Sequence, residues 1–383
     1  MKEFDCETEV DRRHSDSLKW RRYQGTSIVP MWVADMDFPS PPAVGRALIR
    51  RAEHGIFGYC MASEDLGRLV VERLLQRYGW RIEPEWIVWL PGLVTGLNVF
   101  CRAVGDRGDR IIAMPPVYPP FLSAPANVDR ELLAVPLLYG GESWDIDFAL
   151  LAAALTADTK ALMLCHPHNP ASRVWRRHEL TELASFCEQH DLLVCSDEIH
   201  CELLLEEGLD HIPFASLSDQ ARRRTVTLMS PSKTFNTAGL GCAYALISDD
   251  GLRRRFRHAM DGLVPYVNVM GYVAMEAAYL HGEQWHRELL RCLRQNRDQV
   301  EDFVHRVPGL RLHRVEATYL AFIDCTALSL PDPVAFFEKE AEVGLSDGAE
   351  FGAPGFVRLN FGCPPTVLAA ALQRMERALA ERR

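Results

Sequence analysis

Residues 225–236 read TVTLMSPSKTFN, a short apolar run followed by a hydroxyl-rich turn that carries Lys233. The run predicts a strand, and the turn would place the lysine at the mouth of a sheet. A lysine buried in such a position can lose its proton and form an imine with a carbonyl group. Since most lysines that follow a strand are solvated surface groups, this stretch alone does not separate a functional lysine from an ordinary one.

Two similar apolar runs precede this stretch and also end in polar residues. They are KALMLCHPHNP at 160–170, whose turn holds Asn169, and LLVCSDEIH at 192–200, which holds Asp197. All three runs are continuous rather than alternating, as in parallel strands covered on both faces, and a helical pattern separates the first two. Because ligands of open α/β sheets bind at the carboxyl ends of the strands, Asn169, Asp197 and Lys233 are predicted to share one pocket.

These three residue types suit pyridoxal 5'-phosphate. Lys233 would form the Schiff base, Asp197 would keep the pyridinium nitrogen protonated, and Asn169 would hydrogen-bond the 3-oxygen. Taken singly, Asp197 also fits a helix cap, and Asn169 fits a turn residue before Pro170. In this order and at these strand ends, the joint pattern favours pyridoxal phosphate as the cofactor.

Further features fit a site for a phosphate and an amino acid. The glycine turn in PGLVTGLN, residues 91–98, precedes a predicted helix whose free N–H groups attract an anion. Ser230 and Ser232 flank the lysine turn and also suit a phosphate. Tyr118, held between prolines, can stack on a flat ring, with core packing as the alternative. Arg358 lies on an apolar strand and needs an anionic partner, either a substrate carboxylate or a structural ion pair.

Composition narrows the class of protein. The chain has 383 residues, 48% of them hydrophobic and 25% charged, which is ordinary for globular proteins and long enough for two to three domains. The net charge of −10 argues against nucleic acid or an anionic membrane as a partner. Eleven cysteines without a CxxC pair favour free thiols in a reducing cytoplasm. The polar N-terminus does not resemble a signal peptide, and no apolar run is long enough to span a membrane.

Apolar runs and amphipathic stretches alternate along the rest of the chain. Helices are predicted over residues 42–54, 65–78, 266–280, 283–305, 332–340 and 364–381, and strands over 86–92, 131–137, 243–247, 318–325 and 355–362. We therefore predict an N-terminal arm (1–40) that packs with the small domain, a large domain (41–285) that binds the cofactor, and a small C-terminal domain (286–383).

Other ligands are less well supported by the sequence. A metal site is the alternative interpretation of His166, His168, His200 and Cys201, but their spacing does not match a zinc site. GLGCAY lacks the third glycine of a dinucleotide fingerprint and opens no helix. We therefore predict neither a metal nor a dinucleotide.

Motifs along nearly the whole chain resemble those of one enzyme family. From about residue 11 onward they are DSLKW, PMWVADMDF, HGIFGY, PGLVTGLN, PVYPPF, HNP, SDEIH, PSKTFNTAGL, EATYL and FVRLNFG. This series resembles the MalY/PatB type of cystathionine β-lyases and cysteine C–S lyases, a branch of the fold-type I pyridoxal phosphate enzymes. Fold-type I aminotransferases share the Asn, Asp and Lys positions but not the combination of MWVADMDF, SDEIH and LNFG. The resemblance implies a large α/β domain with a mostly parallel seven-stranded sheet, a smaller C-terminal α/β domain, and a homodimer with the active site at the interface.

The resemblance also implies roles around the cofactor. Tyr118 matches the tyrosine that stacks on the ring, and Leu93 and Val94 match the backbone loop that binds the phosphate. Tyr59, in HGIFGY, would reach the phosphate of the neighbouring subunit. His200 is assigned to the cofactor pocket as well.

The implied reaction is α,β-elimination on L-cystathionine or an L-cysteine S-conjugate, giving a thiol, pyruvate and ammonia. Arg358 matches the arginine that binds the substrate carboxylate, and Trp32 and Ala34 would border the substrate. Lys233 would take the α-proton, and Lys233 or Tyr118 would protonate the leaving thiolate. The thiol carried by the natural substrate stays open.

The chain departs from the family pattern beside Asn169. The family usually shows Asn-Pro-His-Asn-Pro-Thr-Gly, whereas this chain has His166, Ala171 and Ser172 at three of those positions. Because Asn169 is retained, we expect the departures to affect substrate preference rather than cofactor binding. Two other functions remain as alternatives, an aminotransferase on the same fold and a regulator-binding protein on a pyridoxal phosphate scaffold.

Overall fold

The computed structural model describes residues 4–141 and 143–382, so the outer ends of the predicted arm and of the predicted small domain lie outside the described residues. The strands, in chain order, are β1 (Val29–Pro30), β2 (Ile87–Leu90), β3 (Arg110–Ala113), β4 (Glu131–Ala134), β5 (Leu138–Tyr139), β6 (Trp144–Asp145), β7 (Thr159–Cys165), β8 (Leu193–Asp197), β9 (Thr225–Met229), β10 (Ala243–Leu246), β11 (Arg311–Leu312), β12 (Leu320–Asp324), β13 (Val343–Gly344), β14 (Ser346–Asp347) and β15 (Phe356–Asn360). The α-helices are α1 (Leu18–Arg21), α2 (Pro42–His54), α3 (Glu64–Tyr78), α4 (Leu93–Ala103), α5 (Pro119–Ser123), α6 (Phe148–Ala154), α7 (Arg177–Gln189), α8 (Asp219–Arg224), α9 (Asp250–Met260), α10 (Val269–His281), α11 (Glu283–Arg306), α12 (Pro333–Phe336) and α13 (Pro365–Ala380). None of these helices combines the length and the apolar character that crossing a membrane requires.

The large sheet has the strand order β2-β10-β9-β8-β7-β3-β4, seven strands within the described residues. β3, β4, β7, β8 and β9 pair in parallel, whereas β10 runs antiparallel to both of its neighbours. The central strands are almost entirely buried because helices cover both faces, which explains their continuous apolar runs. The predicted α/β fold with a mostly parallel seven-stranded sheet is confirmed.

The two faces of this sheet contact different apolar clusters. Ile111 packs with α4 and α9 on one face, and the next residue, Ile112, packs with α7 on the other. This alternation along a strand follows from the period of two of its side chains. Both faces are therefore sealed, and the carboxyl ends of the strands are the natural place for a ligand.

A second sheet, antiparallel and ordered β11-β12-β15-β14, lies in the C-terminal part of the chain. Within the N-terminal arm, β1 pairs in parallel with β13, which brings Val29 opposite Val343. The division into an arm, a large domain and a small domain, with boundaries at 40 and 285, stays a prediction.

Some element boundaries differ from the predictions. The helix predicted over 332–340 is regular only in α12, and the chain continues as a π-helix over Phe337–Ala341. The strand predicted to begin at residue 318 begins at Leu320, because Thr318 has a φ of 71° that no strand residue adopts. Local backbone geometry of this kind is not visible in an apolar pattern.

Candidate active site

Three parallel strands bring polar residues together at one edge of the large sheet. Cys165 of β7 is in register with Asp197 of β8, and Asp197 is in register with Leu228 of β9. A cavity of about 240 Å³ opens at this edge. Its lining includes these residues singled out in the sequence: Ala34, Leu93, Val94, Tyr118, Asn169, Asp197, His200, Ser230, Ser232 and Lys233.

The remaining predicted site residues lie outside this lining. Arg358 lies directly behind it, where it donates to the side-chain oxygen of Asn169 at 3.1 Å and to the backbone carbonyl of Trp32 at 2.9 Å. Tyr59 is fully exposed, at 101% of its reference area, and does not line the cavity of its own chain. A role for Tyr59 therefore depends on a neighbouring subunit.

Lys233 is held inside the cavity by one backbone oxygen. Its Nζ donates to the carbonyl of Ala34 at 2.5 Å. Burial and the positive charge of Arg358 together lower the pKa of Lys233 to about 8, against the opposing effects of Asp35 and Asp197. The amine is therefore much easier to deprotonate than an ordinary lysine.

This lowered pKa predicts how Lys233 reacts in cofactor-free protein. Burial penalises the ammonium form, so the amine is protonated below pH 8 and neutral above it. The rate of Lys233 acylation, measured by peptide mass spectrometry, should therefore rise with pH and reach half of its maximum near pH 8. A midpoint near the ordinary value of 10.5 would show instead that the amino group is solvated.

Asp197 is buried at the end of β8. Its side chain accepts from the backbone N–H of Ile199 at 3.1 Å. Burial and the neighbouring Glu198 raise the pKa of Asp197 to about 7, against the opposing effects of the Ile199 N–H and the charge of Lys233. A buried carboxyl group of this kind gains stability from a cationic partner, which a protonated pyridine nitrogen would supply.

The turns that carry Tyr118 and Asn169 are fastened to each other. The backbone N–H of Tyr118 donates to the carbonyl of Asn169 at 3.0 Å, and the ring of His168 lies 2.8 Å from the carbonyl of Pro116. Burial raises the pKa of the Tyr118 phenol, while the charge of Arg358 opposes that rise. The phenol is therefore kept in its neutral form at the cavity wall.

Arg358 has a donor that no side chain or backbone oxygen uses. Its Nε is buried and has no hydrogen-bond partner among the described residues, and no carboxylate in that part of the chain lies within ion-pair distance. Burial lowers the pKa of Arg358 to about 10, so the side chain stays cationic at neutral pH. An anion that enters from the cavity would satisfy both the charge and the free donor.

Another part of the cavity lining can hold a phosphate. Helix α4 begins at Leu93 after Gly92, and its first N–H groups have no partner within the helix. Ser230 donates its hydroxyl hydrogen to the carbonyl of Cys242 at 2.8 Å and accepts from the N–H of Ser232 at 3.1 Å. The hydroxyl of Ser232 is therefore the better placed donor for a ligand.

The donor set fits pyridoxal phosphate. The cavity lining combines a helix N-terminus, a deprotonatable lysine and a buried carboxyl group. His200, also in the wall, has a buried Nδ1 without a partner among the described residues, and burial lowers its pKa well below the usual range. A neutral imidazole with a free nitrogen suits the polar edge of a bound ring.

The histidines of the Asn169 turn are used within the fold. The ring of His166 stacks on that of His211 at 4.4 Å, and its Nε2 lies 3.1 Å from the carbonyl of Ile212. His211 in turn contacts Glu198 at 2.6 Å. Burial lowers the pKa of both rings, so both are neutral at physiological pH. No grouping of His, Cys, Asp and Glu suited to a metal ion occurs among the described residues.

Ser172 connects the Asn169 turn to the second sheet. Its φ of 56° lies in the left-handed region that glycine tolerates best, and the family usually has glycine here. Its buried hydroxyl lies 2.8 Å from that of Thr318 and 2.6 Å from the carbonyl of Leu320. These bonds offset the backbone strain, so the departure from glycine is accommodated.

At position 172, glycine should destabilise the protein less than alanine does, which is the reverse of the usual order. Alanine would lose the hydroxyl bonds and keep the strained φ, at a cost of about 2 kcal/mol, whereas glycine would relax the backbone and cost about 1 kcal/mol. Thermal unfolding should therefore give a lower Tm for Ser172→Ala than for Ser172→Gly. The opposite order would mean that the backbone does not adopt this conformation.

Three residues beside the site were given no individual role by the sequence. Asn236, Tyr319 and Asn360 all bond to the backbone of residues 32–38, which passes beside Lys233. Each lies within a motif of the family resemblance, but motif membership does not indicate which atoms a side chain contacts. Only the folded chain shows that they meet.

Comparisons with known proteins agree with this geometry. A family model described as aminotransferase class I and II matches residues 27–375. The chain is 37% identical to cystathionine beta-lyase PatB of Bacillus subtilis, over 97% of this chain and 98% of that protein. It is also similar to the crystal structure of OvoB, with 47% identity, a TM-score of 0.96, and 99% and 100% of the two chains covered. Cystalysin from Treponema denticola, whose crystal structure contains a pyridoxal 5'-phosphate cofactor, gives 32% identity and a TM-score of 0.94 over 99% of each chain.

These similarities extend over nearly the whole chain, and the described relatives have almost the same length. The resemblance drawn from the motifs is confirmed. The chain belongs to the aminotransferase class I and II family.

Proposed function

We propose that the protein is a pyridoxal phosphate-dependent carbon–sulfur lyase. It cleaves L-cystathionine or an L-cysteine S-conjugate by α,β-elimination into a thiol and aminoacrylate, and water hydrolyses the released aminoacrylate to pyruvate and ammonia. The observation that carries the proposal is the convergence of Lys233, Asp197 and the Asn169–Arg358 pair on one cavity. The similarity to a cystathionine beta-lyase and to cystalysin supports it.

Each of these groups has a task in the elimination. Bound pyridoxal phosphate supplies an electron sink that stabilises negative charge at the α-carbon. Arg358 binds the substrate carboxylate through its unpartnered Nε and so fixes the α-carbon near Lys233. The free amino group of Lys233, whose pKa is about 8, takes the α-proton near neutral pH. Asp197 keeps the pyridine nitrogen protonated, and Lys233 or Tyr118 returns a proton to the leaving sulfur.

A homodimer would complete the site. The segment around Tyr59 exposes an apolar surface that is unusual for a monomer, made of Ile56, Phe57, Tyr59, Met61, Leu263 and Tyr266. Burial of this surface against a second copy would carry Tyr59 toward the partner's phosphate site. Sedimentation velocity tests the dimer, since a monomer at micromolar concentration would leave Tyr59 without a ligand.

A single assay separates the lyase from an aminotransferase. The purified protein, loaded with pyridoxal phosphate, receives L-cystathionine without any keto acid, and pyruvate and thiol are followed with time. Continuous release of both supports the lyase. A single turnover that converts the cofactor to its pyridoxamine form, with neither pyruvate nor thiol released, would indicate an aminotransferase, and no reaction at all would leave a binding role.

A further inference from the structure

Residues 32–38, here called the strap, pass beside the cavity and contact its two cationic groups through backbone oxygens. The carbonyl of Trp32 accepts from Arg358 Nη2 at 2.9 Å and from the hydroxyl of Ser346 at 2.9 Å. The carbonyl of Ala34 accepts from Lys233 at 2.5 Å and from the phenol of Tyr319 at 2.9 Å. The position of the strap therefore decides where acceptors for both cations lie.

Asn236 fastens the strap to the lysine turn, three residues after Lys233. Its amide nitrogen donates to the carbonyls of Met36 and Phe38 at 2.9 and 2.7 Å, and its amide oxygen accepts from the N–H of Met36 at 3.0 Å. Its φ of 54° lies in the left-handed region. Asparagine tolerates this conformation better than most residues, so the turn can aim the amide at the strap.

Asn360 fastens the same segment to β15, two residues after Arg358. Its amide nitrogen donates to the carbonyls of Val33 and Asp35 at 2.5 and 2.6 Å. Its amide oxygen accepts from the N–H of Gly362 at 2.7 Å. Asn360 is fully buried, so each of these bonds is protected from water.

The two amides bind four of the seven carbonyls of the strap, and two of the other three accept from the cations beside the cavity. Asn360 takes the carbonyls of residues 33 and 35, and Asn236 takes those of residues 36 and 38. The carbonyls of Trp32 and Ala34 remain for Arg358 and Lys233. Asn236 lies in the same turn as Lys233, and Asn360 lies on the same strand as Arg358. The position of the strap is therefore linked to the distance between the two cations.

We propose that Asn236 and Asn360 are positioning residues, which hold the strap in the register that presents the Ala34 carbonyl to the amino group of Lys233. Their catalytic importance rests on the proposed function, because the lysine acts as a base there. Neither amide contacts the cavity itself. Their effect on the lysine passes through the backbone of residues 32–38.

The register of the strap has a consequence for protonation. The charged and titratable groups that face Lys233 are Arg358 from β15, Asp35 from the strap, Asp197 and His200 from the end of β8, and Tyr319 before β12. Among its contacts, the Ala34 carbonyl is the acceptor that bonds the ammonium form directly. If the strap moves, this bond weakens and the neutral amine is favoured.

The test is the pH dependence of Lys233 acylation in cofactor-free protein, compared among variants. Asn236→Gly removes the amide, and glycine accepts the φ of 54° without strain. Loss of the hydrogen bond to the ammonium group should lower the midpoint of acylation by about one pH unit. Asn360→Ala should shift the midpoint in the same direction. It replaces Asn236→Gly as the test variant if Asn236→Gly does not fold.

Asn296→Ala is the matched control. The amide of Asn296 is also buried and also donates to two carbonyls, those of Phe361 at 2.8 Å and Cys363 at 2.7 Å, but it does not contact the strap. This variant should lose thermal stability and keep the wild-type midpoint. An equal shift in all variants would mean general loosening of the fold, and no shift in folded Asn236→Gly or Asn360→Ala would overturn the proposal.

The outcome is independent of whether the protein is a lyase. A shifted midpoint in protein that releases no pyruvate would retain the positioning role and reject the proposed function. Lyase activity with unshifted midpoints would retain the function and reject the positioning role. In the active enzyme, Lys233 is a free amine only after substrate has bound, so the acidic limb of kcat against pH should move with the midpoint, a change that a purely structural defect would not cause.

Discussion

Replacing Lys233 by alanine is expected to lower turnover by at least about 1,000-fold, because one amino group serves both as the attachment point for the cofactor and as the base. Among the described residues, no other lysine lines the cavity. The variant should also lose the absorbance of a cofactor bonded to lysine, even when pyridoxal phosphate is added in excess. Stopped assays of pyruvate, together with a visible spectrum, measure both effects.

Lys160→Ala is the control for this experiment. Lys160 lies near the start of β7, at the opposite end of the sheet, and its Nζ donates to the carbonyl of Ala157 at 2.8 Å. Loss of that surface bond should leave activity and spectrum unchanged. Wild-type turnover in Lys233→Ala would reject the assignment of the lysine and the cofactor chemistry with it.

The large sheet could be predicted because its central strands are buried on both faces. Such strands need continuous apolar runs, and the runs before Asn169, Asp197 and Ser230 are of this kind. The direction of β10 could not be predicted, since an apolar run of four residues suits either direction. The break between α12 and the π-helix was equally invisible, because it depends on local geometry rather than on residue type.

The convergence of the site could be predicted for similar reasons. Parallel neighbours place their carboxyl ends together, so Asn169, Asp197 and Lys233 could be assigned to one edge before the fold was known. The contacts of the strap could not be predicted, because they join side chains to backbone oxygens about 200 to 300 residues away along the chain. Every residue has a carbonyl, so residue type does not reveal which one is used.

Arg358→Lys is expected to lower kcat/KM by about 100-fold, mainly through a higher KM. The guanidinium donates to Asn169 and to the Trp32 carbonyl, lies 4.6 Å from the ring of Phe351, and leaves Nε free. Lysine would keep the charge but lose the planar fork and the second donor that a carboxylate requires. Steady-state kinetics with L-cystathionine measure the change.

A second buried arginine distinguishes substrate binding from structural support. Arg73 makes a bidentate contact with Glu202, away from the cavity, with its Nε at 2.7 Å from the carboxylate. Arg73→Lys should lower Tm and leave KM unchanged, because its partner belongs to the protein. For Arg358 no described carboxylate fills that place, so the proposed function assigns the partner to the substrate. An unchanged KM in Arg358→Lys, with a lower Tm, would assign Arg358 to the scaffold that holds Asn169 and Trp32.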